Sequence, residues 1–284
     1  MSRNLRRRLV SGMARGLMYA AAAVALVPLS LVLAYTLRNG VPAVSQVDFF
    51  LNSERPVGIP GAGVAHALIG TLIMVGAASL MAIPVGIVCG IYLVEYGHGR
   101  WAKYVRLASD VLVGAPSIAI GLFAYAVVVA PFHHFSALSA SFALAVLMLP
   151  VVIRTTEAAY GLLPRGLREA GLALGLPRWR VAVQLLLPAA VPGVVTGALL
   201  AMARAAGETA PLLFTAFGNR FFSVDPTHAM SALPLIIFHD ALTPYPELQQ
   251  QAWGAALLLV AFVLVVNLLS RLVLRRQIRL ATQG

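Results

Sequence analysis

The sequence has few charged residues. Asp, Glu, Lys and Arg make up 11% of its 284 residues, whereas about a quarter is usual in a soluble domain, and 60% of the chain is hydrophobic. This shortage excludes an ordinary soluble domain and predicts an integral membrane protein. The formal net charge of +11 is spread between long apolar runs, so we interpret it as a determinant of membrane topology rather than as a nucleic-acid-binding surface.

Lysine and cysteine occur once each, and both shortages narrow the possible functions. A P-loop needs the lysine of G-K-[ST] to reach phosphates, but Lys103 lies in WAKYV, so this chain has no such ATPase site. Cys89 alone forms no intrachain disulfide and no thiolate metal site. His133 and His134 have no carboxylate or cysteine nearby in the sequence, so we expect them on a surface turn and predict no metal site. The hydrolase motifs H-E-x-x-H and G-x-S-x-G are also missing.

Long stretches without charged residues dominate the chain. A spanning helix needs about 20 mostly apolar residues. The charge-free run 111–153 would form a helix of about 65 Å, twice the hydrocarbon thickness, so we place a turn at 131–136, where Pro131 blocks a continuous helix. The sequence thus predicts six spans: 16–37, about 65–94, two within 111–153, one from near Pro188 that contains 198–217, and about 252–270.

The basic residues predict the orientation, since cytoplasmic loops hold the excess of Arg and Lys. Only Arg38, Arg55 and Arg220 fall on one side of the membrane. Seventeen fall on the other: Arg3, Arg6, Arg7, Arg8, Arg15, Arg100, Lys103, Arg106, Arg154, Arg165, Arg168, Arg178, Arg180, Arg271, Arg275, Arg276 and Arg279. Both termini are therefore predicted to be cytoplasmic.

The longest predicted cytoplasmic loop, 154–187, contains a short helix over 165–174. Pro164 suits a helix start, and Gly175 followed by Pro177 marks an end. Apolar and small residues follow helical spacing between them: Leu167, Ala170, Gly171 and Leu174. This narrow stripe predicts a helix that docks in a partner's groove, and a helix lying on lipid headgroups is the alternative.

The segment EAGLALGLPRWRVAVQLLLP, 169–188, resembles the coupling motif of ABC importer permeases. Gly171 is the one departure, because Ala is usual there, and it lowers helix propensity by about 1 kcal/mol while keeping the position small. The resemblance implies that this segment enters a cleft of an ATP-binding subunit. The residues implied in coupling are Glu169, Ala170, Gly171, Leu174, Gly175, Leu187 and Pro188.

Two charged residues, Arg204 and Glu208, stand within the predicted fifth span. Counted from Pro188, Arg204 lies about 24 Å along the helix, and Glu208 is expected one turn further on. Charges at such depth cost at least about 2.5 kcal/mol each and usually face a bundle interior or a water-filled path. One interpretation is an ion pair that only holds helices together. The other is an Arg204 that donates to an oxyanion while Glu208 holds the guanidinium or accepts a proton from the anion.

The stretch ARAAGETAPLLFTA, 203–216, resembles the signature of PstA-type permease subunits of bacterial phosphate ABC importers. Segments at 71–96, 110–123, 149–175 and 187–200 resemble the same family, so the resemblance covers most of 60–275. It implies an all-α, polytopic membrane protein with six transmembrane helices and the permease fold of type I ABC importers. It further implies phosphate as the solute and Arg204, Glu208 and Thr209 along its path.

The same resemblance implies a non-enzymatic subunit of the bacterial inner membrane that works by alternating access. Its implied partners are a second homologous permease subunit, two ATP-binding subunits that hold ATP and Mg, a periplasmic phosphate-binding protein and membrane lipid. Nucleic acid is not expected, nor is a cofactor in this chain. A permease for sulfate, molybdate or phosphonate is the first alternative. An ATP-independent secondary transporter is the second, although it would not need the docking helix.

These inferences give a domain plan with two secondary expectations. Asp110 is expected to be solvated or paired with Arg106, and the mixed segment 218–250 is expected on the outer membrane surface, where it would receive the binding protein. The plan comprises a cytoplasmic tail 1–15, a first transmembrane helix 16–37, a periplasmic loop 38–62, a permease domain 63–275 with the coupling loop 154–187, and a cytoplasmic tail 276–284.

Overall fold

The computed structural model describes residues 3–97 and 99–281, with side chains described for residue 7, 10–97 and 99–272. The ends of the two predicted tails, 1–2 and 282–284, lie outside the described residues, as do several of the basic side chains counted above. All regular secondary structure in the described ranges is helical, as predicted.

The helices follow one another with short connections. The first seven are α1 (Arg3–Val44), α2 (Asp48–Leu51), α3 (Ala65–Glu95), α4 (Arg100–Gly114), α5 (Ser117–Ala124), α6 (Ala130–Phe132) and α7 (Ala137–Gly161), with a π-helical segment, Tyr125–Val129, before α6. The rest are α8 (Arg165–Ala173), α9 (Arg178–Arg180), a second π-helical segment (Val181–Leu186), α10 (Leu187–Ala206), α11 (Ala210–Thr215), α12 (Leu233–Ala241) and α13 (Pro246–Ala281).

Five continuous helical stretches in the described residues are long and apolar enough to cross a membrane. They are Val10–Val44, Ala65–Glu95, Ala137–Gly161, Arg178–Ala206 and Pro246–Leu272. The pair Arg100–Gly114 and Ser117–Phe132 is long and apolar enough only when taken together, and it is bent by 109°. The described residues therefore hold five candidate spans, or six when the bent pair is counted as the predicted third span.

The turn predicted at 131–136 lies where the sequence places it. Helix α6 ends at Phe132, His133 takes a left-handed conformation with φ of 57°, and α7 begins at Ala137. The Ser136 side chain accepts a hydrogen bond from the Ser139 N–H, which caps the new helix. Both histidines are exposed, as expected for a surface turn.

Helix α7 is the centre of the bundle because glycines let two neighbouring helices approach it closely. On α3, a Cβ at Gly86 would lie 2.7 Å from the Val152 Cβ. A Cβ at Gly90 would lie 2.6 Å from the Thr156 Cβ. On α10, Gly193 and Gly197 meet α7 in the same way. Small residues spaced four apart are a common means of close helix packing in membranes, where no hydrophobic force drives helices together.

The bundle has two ends, which we call the docking face and the opposite face. The docking face carries α8, the C-terminal end of α3 and the N-terminal end of α9. The opposite face carries 45–62, 216–232 and α12. Part of the segment 218–250 lies deeper than predicted, because Met230, Leu233 and Leu235 are buried in the core. These three residues are packed inside the chain, and the expectation that the segment receives the binding protein at the outer membrane surface stays a prediction.

Helix α1 stands at the edge of the chain. Its side chains from 10 to 35 are all exposed, and it packs only near its C-terminal end, against α13. There Tyr35 contacts Trp253 edge to face, with ring centroids 5.0 Å apart. Helix α1 also extends beyond the predicted span 16–37 at both ends.

Candidate functional site

The first candidate site lies where α10 ends inside the bundle. Arg204 occupies the last turn of α10, Gly207 caps the helix, and Glu208 and Thr209 lie in the break before α11. Glu208 is therefore not one turn further along the same helix, as the sequence suggested. The GET sequence at 207–209 and Pro211 end α10 and restart it as a separate short helix.

The break still keeps the two charged side chains together. Arg204 Nε lies 3.6 Å from Glu208 Oε1, which is an ion pair but too long for a good hydrogen bond. The Glu208 side chain is 18% exposed and that of Arg204 is 49% exposed. Within the described residues the Arg204 guanidinium makes no side-chain hydrogen bond, so its donors remain unused there.

The burial of its neighbours shows in which direction the Arg204 side chain points. Its neighbours Ala203, Ala205 and Ala206 are buried, and Ala205 and Ala206 belong to the core cluster shared with α3 and α7. Arg204 thus points away from the bundle of its own chain. The carbonyl end of α10 also favours a positive charge at this position. Thr209, partly buried at the start of α11, makes no side-chain capping hydrogen bond there.

The second candidate site is the docking helix, α8. It covers Arg165–Ala173 with Pro164 just before it, which is within one residue of the predicted 165–174. Gly175 has a φ of +77°, a conformation that favours glycine, and it closes the helix in a Schellman motif. In that motif the Gly175 N–H donates to the Leu172 carbonyl and the Leu176 N–H to the Gly171 carbonyl.

The predicted apolar stripe of α8 is divided between two environments. Gly171 is buried, and a Cβ there would lie 3.0 Å from side-chain atoms of Val181 and Leu185 in the π-helical segment. Glu169, Ala170 and Leu174 are exposed, with Leu174 81% exposed. One side of the helix therefore packs within the chain, and the other side remains available to a partner.

The segment after α8 is more helical than predicted. Helical structure continues from Arg178 through the π-helical segment to Ala206, so the fifth span begins ten residues before Pro188. Leu187 is partly buried and Pro188 is exposed. Pro188 is tolerated because it falls in the first turn of α10, directly after a stretch whose hydrogen bonds already follow the π pattern. At the other end of the predicted coupling loop, 154–161 is still part of α7.

Two buried contacts fix α8 and the π-helical segment to the rest of the docking face. Arg168 donates to Glu95 at the end of α3, with Arg168 Nη2 2.6 Å from Glu95 Oε1, and the Glu95 side chain is 7% exposed. The Arg168 Nε lies 3.2 Å from both oxygens of that carboxylate. Tyr160, fully buried, donates to the Ala182 carbonyl at 3.2 Å.

A second ion-pair network connects α3, α4 and α7. Arg106 donates to Glu157 at 2.7 Å and to the Leu93 carbonyl at 2.8 Å. Arg154 donates to Glu157 at 2.9 Å and also pairs with Asp110. Of the two expectations for Asp110, the pairing with Arg106 is wrong, because Glu157 binds Arg106 across the helix interface. The Asp110 side chain is 61% exposed, as the other expectation had it.

Sequence reasoning missed the contact of Glu95 with Arg168. A charged residue at the end of an apolar span, as Glu95 is in YLVEY, was the available signal. Its partner stands 73 residues later, and no local pattern joins the two.

Comparisons with known proteins identify relatives over most of the chain. Residues 82–279 match the family described as binding-protein-dependent transport system inner membrane component. The chain is 44% identical over 243 residues to the phosphate transport system permease protein PstA of Yersinia pestis, covering 85% of this chain and 82% of that protein. It is 39% identical over 274 residues to PstA 1 of Mycobacterium tuberculosis, covering 95% of this chain and 90% of that protein.

A solved structure shares the fold. A chain of the inward-facing MetNI methionine ABC transporter superposes with a TM-score of 0.64 at 20% sequence identity. The match covers 75% of this chain and 95% of that chain. At this identity the likeness concerns the fold alone.

Proposed function

Since the chain belongs to the family of binding-protein-dependent transport system inner membrane components, we propose that it is the permease subunit of an ATP-driven importer of inorganic phosphate. The observation that carries the proposal is the similarity to phosphate transport system permeases over more than four fifths of both chains. The resemblance to PstA-type permeases and the ABC importer permease fold are thereby confirmed. The chain is a non-catalytic inner-membrane subunit, and ATP hydrolysis belongs to a separate subunit.

The solute path is proposed to run past Arg204. A guanidinium with unused donors can hold two oxygens of a phosphate at once, and a half-exposed position allows release. Since Arg204 points away from its own bundle, a second, similar permease subunit would complete the path on the other side. The helix break at 207–209 supports this role, because interrupted helices line substrate sites in many transporters.

Glu208 is proposed to position Arg204 and to favour phosphate. Hydrogen phosphate has a P–OH donor that sulfate lacks at neutral pH, and a carboxylate can accept it. Thr209, next in the chain, offers a hydroxyl to the same space. An external binding protein would still supply most of the selectivity.

The movement of the ATP-binding subunits is proposed to enter this chain at α8. Its exposed residues, led by Glu169 and Leu174, would enter the cleft of an ATP-binding subunit, and two such subunits would hold ATP and Mg. The docking face would be cytoplasmic, together with both termini, and the opposite face periplasmic. Closure of the ATP-binding subunits would move α8, and the bond between Arg168 and Glu95 would carry that movement to α3.

The test is ATP hydrolysis by the complex reconstituted in lipid with its binding protein, while phosphate, sulfate or molybdate is added. Stimulation by phosphate alone, lost in Glu169→Lys, supports both the solute and the docking role. Arg165→Lys, on the same helix, is the matched control for placing a lysine there. Stimulation by sulfate or molybdate would instead favour the alternative oxyanion. ATP-independent flux without any assembling ATPase would contradict the proposal.

A further inference from the structure

A cavity of about 430 Å³ opens on the opposite face, and its lining includes none of the residues assigned to the two sites described above. Residues from three connections line it, and its charged and titratable lining residues are Glu54, Arg220, His239 and Asp240. Phe217 and Ile236 supply apolar wall. Neither the solute path at Arg204 nor the docking helix uses these side chains.

Asp240 is the unexplained group in this cavity. The residue is 5% exposed, and its Oδ2 atom is buried without a hydrogen-bond partner in the described chain. A buried carboxylate that lacks a partner is costly, because burial removes water that would otherwise stabilise its charge. Burial together with the nearby charge of Glu54 raises the pKa of Asp240 to about 7.

The one cation in the cavity does not satisfy Asp240. Arg220 Nε lies 3.2 Å from Glu54 Oε1, so its closest ion pair is with the other carboxylate. The Arg220 side chain is 78% exposed, whereas that of Glu54 is 12% exposed. Arg220 is thus paired with the partly buried Glu54, and the buried Asp240 has no ion pair among the described residues.

The rest of the opposite face also carries more negative than positive charge. The connections and helix ends of the opposite face carry five acidic residues, Asp48, Glu54, Asp225, Asp240 and Glu247, against the three basic residues Arg38, Arg55 and Arg220. This excess of negative charge occurs in a chain whose overall formal charge is +11. A face of this sign repels free phosphate and attracts a basic protein surface.

We propose that the cavity is a socket for one lysine or arginine side chain of the external solute-binding protein, with Asp240 as its buried anion and Glu54 beside it. This inference rests on the proposed function, which supplies a binding protein on this face. A long side chain can bury its methylene stem against Phe217 while its charged end approaches the Asp240 carboxylate where it lines the cavity. The incoming cation would stabilise the ionised Asp240, so docking and ionisation favour each other.

The experiment titrates the phosphate-loaded binding protein against the full reconstituted complex and follows ATP hydrolysis. For Asp240→Asn we expect the concentration that gives half-maximal stimulation to rise about 10-fold, with an unchanged maximal rate, since a buried ion pair is lost. High salt should reduce this 10-fold difference only slightly, because the ion pair between Asp240 and the incoming cation would be shielded from solvent. Asp225→Asn is the matched control, as it removes the same charge from an exposed site on the same face.

A loss of stability in Asp240→Asn can be told apart from a loss of docking. Asn has the shape of Asp, and Asp240 Oδ2 has no partner to lose, so the unliganded variant should unfold at the same or a higher temperature than the wild type. A lower maximal rate or a lower unfolding temperature, with unchanged half-maximal concentration, would show a structural role and overturn the socket. Tighter binding of inorganic phosphate to wild type than to Asp240→Asn, without binding protein, would show an anion site and overturn it too.

The response of the wild-type complex distinguishes a failure of the socket from a failure of the proposed function. If the phosphate-loaded protein stimulates wild type and Asp240→Asn at the same concentrations, the phosphate importer stands and the socket is wrong. If the wild-type complex responds to no phosphate-loaded binding protein, the proposed function fails and the socket fails with it.

Discussion

At the scale of single residues, Arg204 combines two properties that rarely coincide. It lies at the end of an otherwise apolar helix, which is expensive, and yet half of its side chain is exposed rather than locked into its ion pair. An arginine that only held helices together would be expected to use its donors within the chain. The open geometry therefore favours a role toward a ligand.

Replacement of Arg204 by Lys keeps the charge but removes the planar fork. We expect phosphate uptake by the complex to fall about 10-fold, because an ammonium cannot hold two phosphate oxygens in the same geometry. Basal ATP hydrolysis should remain, since the docking face is untouched. Arg38→Lys, at an exposed site, is the control. Equal uptake by Arg204→Lys and wild type would leave Arg204 without a ligand role.

Glu208→Gln tests the discrimination between anions. Removing the acceptor for a P–OH group should narrow the preference for phosphate over sulfate, while the amide preserves the shape of the side chain. The measurement is the ratio of phosphate to sulfate flux through the reconstituted complex. An unchanged ratio, with unchanged phosphate flux, would contradict the proposed role of Glu208.

Asp240 predicts a dependence of stability on pH. Its pKa in the folded chain is raised to about 7, so the folded state binds a proton more tightly than the unfolded state. This contribution to stability is complete below about pH 4 and is lost as the pH rises to about 7. As the pH rises from 5 to 8, the free energy of unfolding of the wild type should fall by up to about 3 kcal/mol more than that of Asp240→Asn. Unfolding of both in detergent at these two pH values gives the difference, and parallel losses would contradict the assignment.

At the scale of helices, polar contacts connect α8 to the bundle through α3. The bidentate contact of Arg168 with the buried Glu95 joins α8 to α3, and Arg106 joins α3 to α4 and α7. A movement imposed on α8 therefore has a continuous polar connection into the bundle.

Breaking this contact should separate ATP hydrolysis from transport. Arg168→Ala leaves Glu95 buried and unpaired, which costs about 3 kcal/mol, and we expect ATP hydrolysis without matching phosphate uptake. The charge exchange of Glu95→Arg with Arg168→Glu should restore more uptake than either single change. Arg165→Ala, also on α8, is the control for stability of the isolated chain. Failure of the exchanged pair to exceed both singles would mean that the contact does not transmit movement.

Glycines on α3 offer a second test at this scale. Gly90→Ala places a Cβ 2.6 Å from the Thr156 Cβ, so α3 and α7 must separate, at a cost of about 1–3 kcal/mol. Gly76→Ala, on the same helix, meets nothing within 4 Å and should be neutral or slightly stabilising. Thermal unfolding of both variants in detergent checks the contrast, and equal unfolding temperatures would contradict the close packing.

These elements also show what the sequence could predict. The ends of α8 followed from Pro164 and Gly175, because proline and glycine act through the local backbone. The end of α10 was missed, although Gly207 and Pro211 stood in the sequence, because apolar composition continues across the break. The partners of Glu95 and Asp110 depend on helix packing between distant segments, which spacing along one helix does not reveal.

At the scale of the whole molecule, the two faces differ in charge and in shape. Most of the arginines fall in the loops and tails predicted to lie on the side of the docking face, which has an exposed helix, whereas the opposite face has more acidic than basic residues and a cavity. The proposed importer would use this asymmetry, because it would receive a loaded protein on one side and ATP-binding subunits on the other. The orientation of the chain in the membrane is therefore the property on which the other proposals depend.

Single cysteines can establish that orientation. With Cys89 replaced by Ser, we expect Phe221→Cys, at a site 80% exposed on the opposite face, to react with a membrane-impermeant maleimide in intact spheroplasts. Leu162→Cys, at a site 86% exposed on the docking face, should react only after the membrane is opened. Leu174→Cys should behave like Leu162→Cys but lose reactivity when the ATP-binding subunits are present, because they would cover α8. Labelling of Leu162→Cys in intact spheroplasts would invert the topology, and equal labelling of Leu174→Cys with and without those subunits would remove the docking role of α8.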